Sequence, residues 1–321
     1  MSELERKPSV RDSDVNLYRP QRLRAEFGPF LEHPGPDGVG RTANDIVGDT
    51  YRKVLAETTA IVAHQWRNEI SRSALKGFLF HGGVGIGKTT MARRLAYELC
   101  RIFKAPGLAD HEHDNGQPAA AHDHSFGHTH DTDFGEDIVM VIVDGADIAR
   151  GRYGDSEEQL RKLFDFAREG EFHGHRHDDD PTRRTVLLFD DVESLFLERG
   201  SSGAKEWHFS QNSVFFHAID ELDTARTAVL LTTNRIDLVD EAIIDRFLPY
   251  EFSRPPTDVL LEVARHRATL QQLDEKRLAP IVWEIEREDS SVKSLRDVER
   301  MVTRAYVASI VGDTVSRAGS L

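Results

Sequence analysis

A glycine-rich segment between an apolar run and an amphipathic pattern constrains this chain more than any other feature. It reads Gly82-Gly83-Val84-Gly85-Ile86-Gly87-Lys88-Thr89. The run Gly77-Phe78-Leu79-Phe80-His81 before it predicts a buried strand, and Met91, Leu95 and Leu99 after it share one helical face. Glycines between a strand and a helix let backbone amides surround a phosphate, and the helix points its positive end at that anion. The segment therefore predicts a phosphate-binding loop.

Side chains with the chemistry of a nucleoside-triphosphate site accompany this loop. Lys88 is placed to reach the β- and γ-phosphates of ATP, and the Thr89 hydroxyl is placed to bind Mg²⁺. A later apolar run ends in Asp190, a carboxylate that we expect to hold the same Mg²⁺. The alternative for these acids is a solvated turn. Another run ends in Asn234, whose amide would orient the attacking water or serve only as a turn residue.

The order of apolar runs predicts an α/β fold. Strand patterns alternate with helical ones, which favours a parallel sheet covered by helices on both faces. After Pro255-Pro256 only helical periods remain, so a small all-helical domain follows. The predicted strands are 77–81, 138–143, 185–189 and 228–232. The predicted units are an N-terminal arm or linker with little core over 1–43, a nucleotide-binding domain over 44–253 with His-rich insertions at 104–136 and 171–184, and a helical lid over 254–321.

Composition narrows the surroundings and the partners of the chain. The net charge of −14 disfavours a general nucleic-acid binder, since such proteins neutralise phosphates with basic side chains. No run approaches the 18 or more apolar residues of a membrane span, and residues 1–7 lack the apolar core of a secretory signal. Cys100 is the single cysteine, so no internal disulfide can form. We expect a cytoplasmic protein with no membrane partner.

These elements, in this order, resemble the AAA+ ATPase family. The matching segments are 45–48 for the adenine contact, 80–90 for Walker A, 187–195 for Walker B, 232–234 for sensor 1 and 240–247 for the arginine-finger segment. The resemblance implies an ATPase with an α/β domain and a helical lid, with ATP and Mg²⁺ bound between them. It also implies a homo-oligomeric ring, usually of six subunits.

The resemblance assigns roles to individual residues. Asp191 becomes the residue that activates water, and Arg246 reaches the γ-phosphate of a neighbouring subunit, unless it only pairs with Asp245 or Glu241. Lys293 is the better match to the sensor 2 cation and Arg296 lies one turn further, although both fit exposed helix cations as well. The nucleotide-binding residues carried over are Val47, Gly48, Gly83, Val84, Gly85, Ile86, Gly87, Lys88, Thr89, Thr90, Lys293 and Arg296.

The chain departs from the family pattern at two positions. Walker B usually ends in Asp-Glu, but Asp191 is one methylene shorter than glutamate. We expect Glu193 not to replace it, because two residues further on the chain has passed the strand tip. Asp245 stands where many members carry the first of two arginines.

Within the family, the Walker B and finger segments look most like those of ATPases that remodel HORMA-domain proteins, although microtubule-severing and membrane-scission members share part of the pattern. Threading through a ring is favoured by Gly151-Arg152-Tyr153-Gly154, where Arg152, Tyr153 and Gly154 are the candidate pore-loop contacts. Packing of Tyr153 within its own domain is the alternative.

Two other functions stay open. A nucleic-acid motor or loader would need a basic pore-facing stripe, of which Arg150 and Arg152 are the only hint. A metal-handling NTPase would use the histidines of the two insertions, since imidazoles bind Zn²⁺, Ni²⁺ or Cu²⁺. A solvated low-complexity segment is the simpler interpretation of those histidines.

Overall fold

The computed structural model describes residues 16–18, 23, 26–27, 45–71, 75–103, 138–144, 148, 155–169, 184–196 and 206–318. Among them, no helix has the length and apolar character needed to cross a membrane.

Six strands of the described chain form one sheet. Their order across the sheet is β1-β3-β4-β5-β2-β6; β1 is antiparallel to β3, and the other neighbours run parallel. The strands are β1 (Asn16–Tyr18), β2 (Gly77–Gly82), β3 (Ile138–Asp144), β4 (Arg184–Asp190), β5 (Thr227–Thr233) and β6 (Leu248–Phe252). The predicted α/β architecture with a parallel sheet is confirmed, and all four predicted strands are present.

Eight α-helices of the described chain accompany the sheet. They are α1 (Asp49–Arg67), α2 (Lys88–Ile102), α3 (Asp155–Glu169), α4 (Glu206–Asp220), α5 (Glu241–Ile244), α6 (Thr257–Leu270), α7 (Glu275–Glu286) and α8 (Leu295–Ala318). The last three pack against one another and form a helical region after the sheet, as predicted. The exact domain boundaries stay a prediction.

Alternation along β2 explains why both faces of the sheet are buried. Successive strand side chains point to opposite faces. Phe78 and Phe80 accordingly join a core cluster with α1, α2 and the helical region, whereas Leu79 joins a second cluster with α3 and α4. All three side chains are fully buried, so β2 is held centrally by packing on both sides.

The strand order brings three strand ends together at one edge. β2 lies between β5 and β6, and the chain leaves β2 for β3, two strands beyond β5. The carboxyl ends of β4, β5 and β2 are therefore neighbours, and open parallel sheets bind ligands at such a position.

Two side chains of the N-terminal segment pack into the core beside α2. Leu23 and Phe27 are 0% and 2% exposed, and the Phe27 ring lies 5.8 Å from that of Tyr97 on α2. Glu26, between them in sequence, pairs with Arg93 of α2 at 3.1 Å. Burying such apolar side chains contributes about 1.5–3 kcal/mol each. An apolar pair four residues apart thus packs this segment on α2, and the arm or linker with little core of its own over 1–43 stays a prediction.

Candidate functional site

The glycine-rich segment turns from β2 into α2 with backbone angles that favour glycine. Gly85 and Gly87 have φ values of +74° and +95°, in the left-handed region. A Cβ atom at Gly85 would also lie 2.7 Å from the Cβ of Arg296. The loop conformation thus requires glycine at these two positions.

The first turn of α2 is open to an anion. Its N-terminal residue has no side-chain cap, and no acidic side chain lies in that turn. The first N–H groups of a helix have no partner within the helix and carry the positive end of its dipole. Phosphate oxygens are suited to accept those hydrogen bonds.

Lys88 is buried at the start of α2, with its ammonium group held by three acceptors. Nζ donates to the carbonyl oxygens of Gly82 and Gly83 at 3.0 and 2.7 Å, and to Oδ1 of Asn234 at 2.7 Å. Burial lowers the pKa of Lys88, and nearby carboxylates oppose that effect. An ammonium group has three donors, so an incoming phosphate must replace at least one of these acceptors.

A hydroxyl and a carboxylate meet beside Lys88. Thr89 Oγ1 donates to both carboxylate oxygens of Asp190, at 2.9 and 3.2 Å, and the Thr232 hydroxyl also donates to Asp190. Mg²⁺ takes oxygen ligands and usually needs only one or two protein side chains in addition to phosphates and waters. Thr89 and Asp190 fit such an ion.

Asp191 follows β4 in a left-handed conformation, with φ and ψ both 52°. Aspartate tolerates this region better than most residues do. Oδ1 of Asp191 accepts a hydrogen bond from Nδ2 of Asn234 at 2.7 Å. Burial, Asp190 and Glu193 raise the pKa of Asp191. The shorter acid therefore reaches the sensor amide, and its raised pKa favours a role as proton acceptor.

Glu193 also belongs to this cluster, which we did not predict. Its carboxylate accepts from Thr233 Oγ1 at 2.7 Å, from the backbone N of Asn234 at 3.3 Å and from Nδ2 of Asn234 at 3.4 Å. We expected Glu193 to be beyond the strand tip, but the left-handed turn at Asp191 directs the chain back toward β5. Glu193 thus contacts the end of β5 rather than replacing Asp191.

Substituting Glu193 with glutamine should lower kcat for ATP hydrolysis about 10-fold or more while leaving ATP affinity unchanged. The glutamine amide removes one acceptor and the charge, and hydrogen bonds to charged groups contribute about 1.5–3 kcal/mol. Steady-state ATPase assays and nucleotide titrations would measure both quantities. Glu286→Gln, on an exposed part of α7, is the matched control. A parent-like kcat for Glu193→Gln would remove Glu193 from the site.

A cleft of about 440 Å³ connects these groups with the helical region. Its lining includes Lys88, Asp190, Asp191 and Asn234. It also includes apolar side chains from the segment before α1 and from α6. The predicted residues that line it are Val47, Val84, Gly85, Gly87, Lys88, Thr89, Thr90, Asp190, Asp191, Asn234 and Arg296. Asp45 and Ile46 of the predicted adenine-contact segment also line it, and the lining residues that we did not predict are Tyr51, Arg93, Val263, His266, Arg267, Leu295 and Glu299.

Four predicted nucleotide contacts are outside that lining: Gly48, Gly83, Ile86 and Lys293. Lys293 is exposed, whereas the backbone N of Arg296 donates to Gly85 O at 3.1 Å and so begins α8 beside the phosphate loop. Docking of the lid onto the loop thus brings Arg296 rather than Lys293 to the cleft, and the sensor 2 role of either cation stays a prediction.

Arg246 lies outside the cleft and is paired with a residue that we did not predict. Nε and Nη2 donate to the two carboxylate oxygens of Asp220 at 3.1 and 3.2 Å. The alternative partners, Asp245 and Glu241, were wrong: the short helix α5 directs Arg246 toward the carboxyl end of α4.

Several sequence predictions fall outside the described residues. These are the pore-loop candidates Arg152, Tyr153 and Gly154, and nearly all of the His-rich insertions. In the part of the chain that the structure describes, no group of three or more His, Cys, Asp or Glu side chains could hold a metal ion.

Comparison with known families decides the classification. Residues 78–253, more than half of the chain, match the model of the ATPase family associated with various cellular activities (AAA). The chain belongs to the AAA family. The predicted membership of the AAA+ ATPases is thereby confirmed, and the family match supports the predicted ATPase activity.

Curated relatives share the ATPase region at low identity. The vesicular-fusion protein SEC18 of Candida albicans is 26% identical over 72% of this chain, which covers 26% of that protein. An AAA ATPase forming ring-shaped complexes, from Bifidobacterium longum, is 26% identical over 60% of this chain and 33% of its own length. A proteasome-associated ATPase of Jonesia denitrificans is 26% identical over 74% of this chain and 39% of its own length. This AAA ATPase thus spans about a quarter to two fifths of these relatives.

A solved structure shares the fold over nearly the whole chain. It is described as the HORMA:CdnC:Trip13 complex of E. coli MS115-1 and matches with a TM-score of 0.57 at 17% identity. The match covers 91% of this AAA ATPase and 88% of the solved chain. At this identity the likeness concerns the fold alone.

Proposed function

We propose that this AAA ATPase is a cytoplasmic protein remodeller that assembles into a ring, most simply a hexamer, and uses Mg²⁺-dependent ATP hydrolysis to pull a partner protein through its pore. The observation that carries the proposal is a divided catalytic set. Lys88, Asp191 and Asn234 lie in one cleft, whereas Arg246 lies outside it. Arg246 supplied as an arginine finger by a neighbouring subunit would complete the site.

Within one subunit, the residues divide the chemistry as follows. When ATP binds, Lys88 replaces one of its three protein acceptors with phosphate oxygens. Two of those acceptors are backbone carbonyl oxygens, and the third is the side chain of Asn234. Once Lys88 releases it, Asn234 Oδ1 is available to accept a hydrogen bond from water, while Nδ2 stays on Asp191. Asp191 then accepts the proton of that water as it attacks the γ-phosphate.

Thr89 and Asp190 would hold Mg²⁺ at the same cleft. When bound, Mg²⁺ supplies neutralisation of the charge on the β- and γ-phosphates. We therefore expect ATP hydrolysis to require a divalent ion. We also expect hydrolysis to be lost when Asp190 is replaced by alanine.

A HORMA-domain protein is the partner that we propose. Support comes from the Walker B and finger segments of the sequence and from a fold neighbour that was solved in a HORMA complex. Chaperone-like work on proteins, rather than on nucleic acid, is also in keeping with the net charge of −14. Capture by an Asp191→Asn ring loaded with ATP, followed by mass spectrometry, would test the partner class; enrichment of nucleic acid instead of protein would contradict it.

Arg246→Ala should lower kcat about 10³-fold while ATP affinity remains that of the parent, because a finger acting in trans contributes about 10³–10⁵ in rate. ATPase assays over a range of protein concentrations, with particle mass measured in ATP, would check this. Mixing Arg246→Ala with Asp191→Asn subunits should restore part of the activity, since each supplies what the other lacks at a shared interface.

Arg287→Ala is the matched control for that experiment. Arg287 is also paired bidentately, with Asp289, and stacked on an aromatic ring, that of Trp283 at 5.0 Å, but it lies in the helical region. A monomeric particle with concentration-independent turnover would refute the ring, and so would parent-like turnover of Arg246→Ala.

A further inference from the structure

The guanidinium group of Arg246 is held by two separate elements of the nucleotide-binding domain. Asp220, at the carboxyl end of α4, accepts from Nε and Nη2 at 3.1 and 3.2 Å. The carbonyl oxygen of Ala242 in α5 accepts from Nη1 at 2.9 Å. The two partners fix the guanidinium plane in two directions.

An aromatic ring supports the same plane from one face. The Cζ atom of Arg246 lies 4.6 Å from the centre of the Phe216 ring, one turn before Asp220 on α4. Phe216 packs in turn against the core cluster that includes Phe215 and Phe247. A stacked arginine with a bidentate partner keeps far fewer rotamers than a free surface arginine.

The arrangement leaves two N–H donors of the guanidinium group available. An arginine side chain carries five N–H donors: one on Nε and two on each of Nη1 and Nη2. Three of them are used by Asp220 and Ala242. The two that have no acceptor among the described residues are one on Nη1 and one on Nη2, and guanidinium donors of this kind suit phosphate oxygens.

The ion pair with Asp220 differs from two other bidentate arginine pairs among the described residues. Arg235 with Asp237 and Arg287 with Asp289 join residues two positions apart. Asp220 and Arg246 are 26 positions apart and belong to different elements. Because the two residues are distant in sequence, the pair forms only when α4 and α5 pack together in the folded domain.

We propose that Asp220 is a positioning residue for Arg246: it holds the guanidinium group so that the remaining donors on Nη1 and Nη2 can reach a phosphate of the ATP bound by the next subunit. This inference rests on the ring in the proposed function. Asp220 does not line the ATP cleft; it acts by removing the conformational freedom that Arg246 would otherwise lose when the subunits meet.

The test is Asp220→Asn. Asparagine keeps the size and one acceptor oxygen but loses the charge and presents an NH₂ group to the guanidinium. We expect kcat to fall about 10-fold, which corresponds to about 1.4 kcal/mol, with ATP affinity unchanged. The Asp220 side chain is 55% exposed, so the fold should tolerate the change. Asp289→Asn, which breaks the similar pair with Arg287, should leave kcat at the parent value.

A double-mutant cycle separates positioning from a general structural effect. If Asp220 acts only through Arg246, Asp220→Asn should cause no further loss in the Arg246→Ala background. Asp220→Glu, which keeps the carboxylate, should retain more activity than Asp220→Asn. Equal losses in both backgrounds would overturn the proposal.

Two further outcomes distinguish this inference from the proposed function. If Arg246→Ala turns over like the parent, the trans finger fails and the positioning role fails with it. If Arg246→Ala is slow but Asp220→Asn is parent-like, only the positioning role fails. A faster Asp220→Asn enzyme would mean that Asp220 restrains the finger, which would also overturn the proposal.

Discussion

Replacing Lys88 with alanine is expected to weaken ATP binding at least ~100-fold. Lys88 is the only cationic residue in the first turn of α2, and its ammonium group donates to Gly82, Gly83 and Asn234. Charge-assisted hydrogen bonds contribute about 1.5–3 kcal/mol each. Loss of two phosphate contacts therefore costs about 3 kcal/mol or more, which is two decades in Kd.

Isothermal titration of the purified protein with ATP would measure the loss. The shift of Tm by ATP gives a second readout, since a ligand at free concentration L that binds only the folded state stabilises it by RT ln(1 + L/Kd). Lys276→Ala, at an exposed position of α7, is the control for removal of one lysine charge. Parent-like affinity of Lys88→Ala, with the protein folded, would contradict the assignment of the phosphate loop.

Asp191→Asn is expected to keep ATP affinity while lowering kcat about 10²–10⁴-fold, the usual contribution of a general base. Asparagine is nearly the same size and also tolerates the left-handed backbone at this position, so the turn after β4 should persist. The amide cannot accept the proton of the attacking water. Single-turnover assays with radiolabelled ATP, beside binding titrations, would separate the two quantities.

Asp289→Asn serves again as the control, because it removes one exposed carboxylate far along the chain from the cleft. Should Asp191→Asn hydrolyse ATP at the parent rate, Asp191 is not the base. Measuring Glu193→Gln in the Asp191→Asn background would then show whether Glu193 has taken that role.

The phosphate loop was predictable because its signals are local. A buried strand, a run of glycines and a helical period all lie within residues 77–102, and no distant contact is needed to recognise them. Asp190 and Asn234 were predictable for a related reason. Both end apolar runs, and the ends of neighbouring parallel strands meet at one edge.

Features that depend on distant contacts were missed. β6 has a pattern in which only Phe252 is buried, and Pro249 within it disguises an edge strand. The cluster position of Glu193 follows from the left-handed turn at Asp191, which no periodicity reveals. Arg296 rather than Lys293 lines the cleft because of how the lid packs on the loop, which the sequence does not show. The pairing of Asp220 with Arg246 likewise has no signal in sequence.

The backbone hydrogen bond from Arg296 to Gly85 has a consequence for coupling between force and affinity. It joins the first turn of α8 to the phosphate loop, so nucleotide held by that loop also selects one placement of the lid. Thermodynamic reciprocity then requires that any load or partner that displaces the lid changes ATP affinity by the same factor by which ATP opposes that displacement. In the proposed remodeller, mechanical resistance from a partner would thus change the affinity of the phosphate loop for nucleotide.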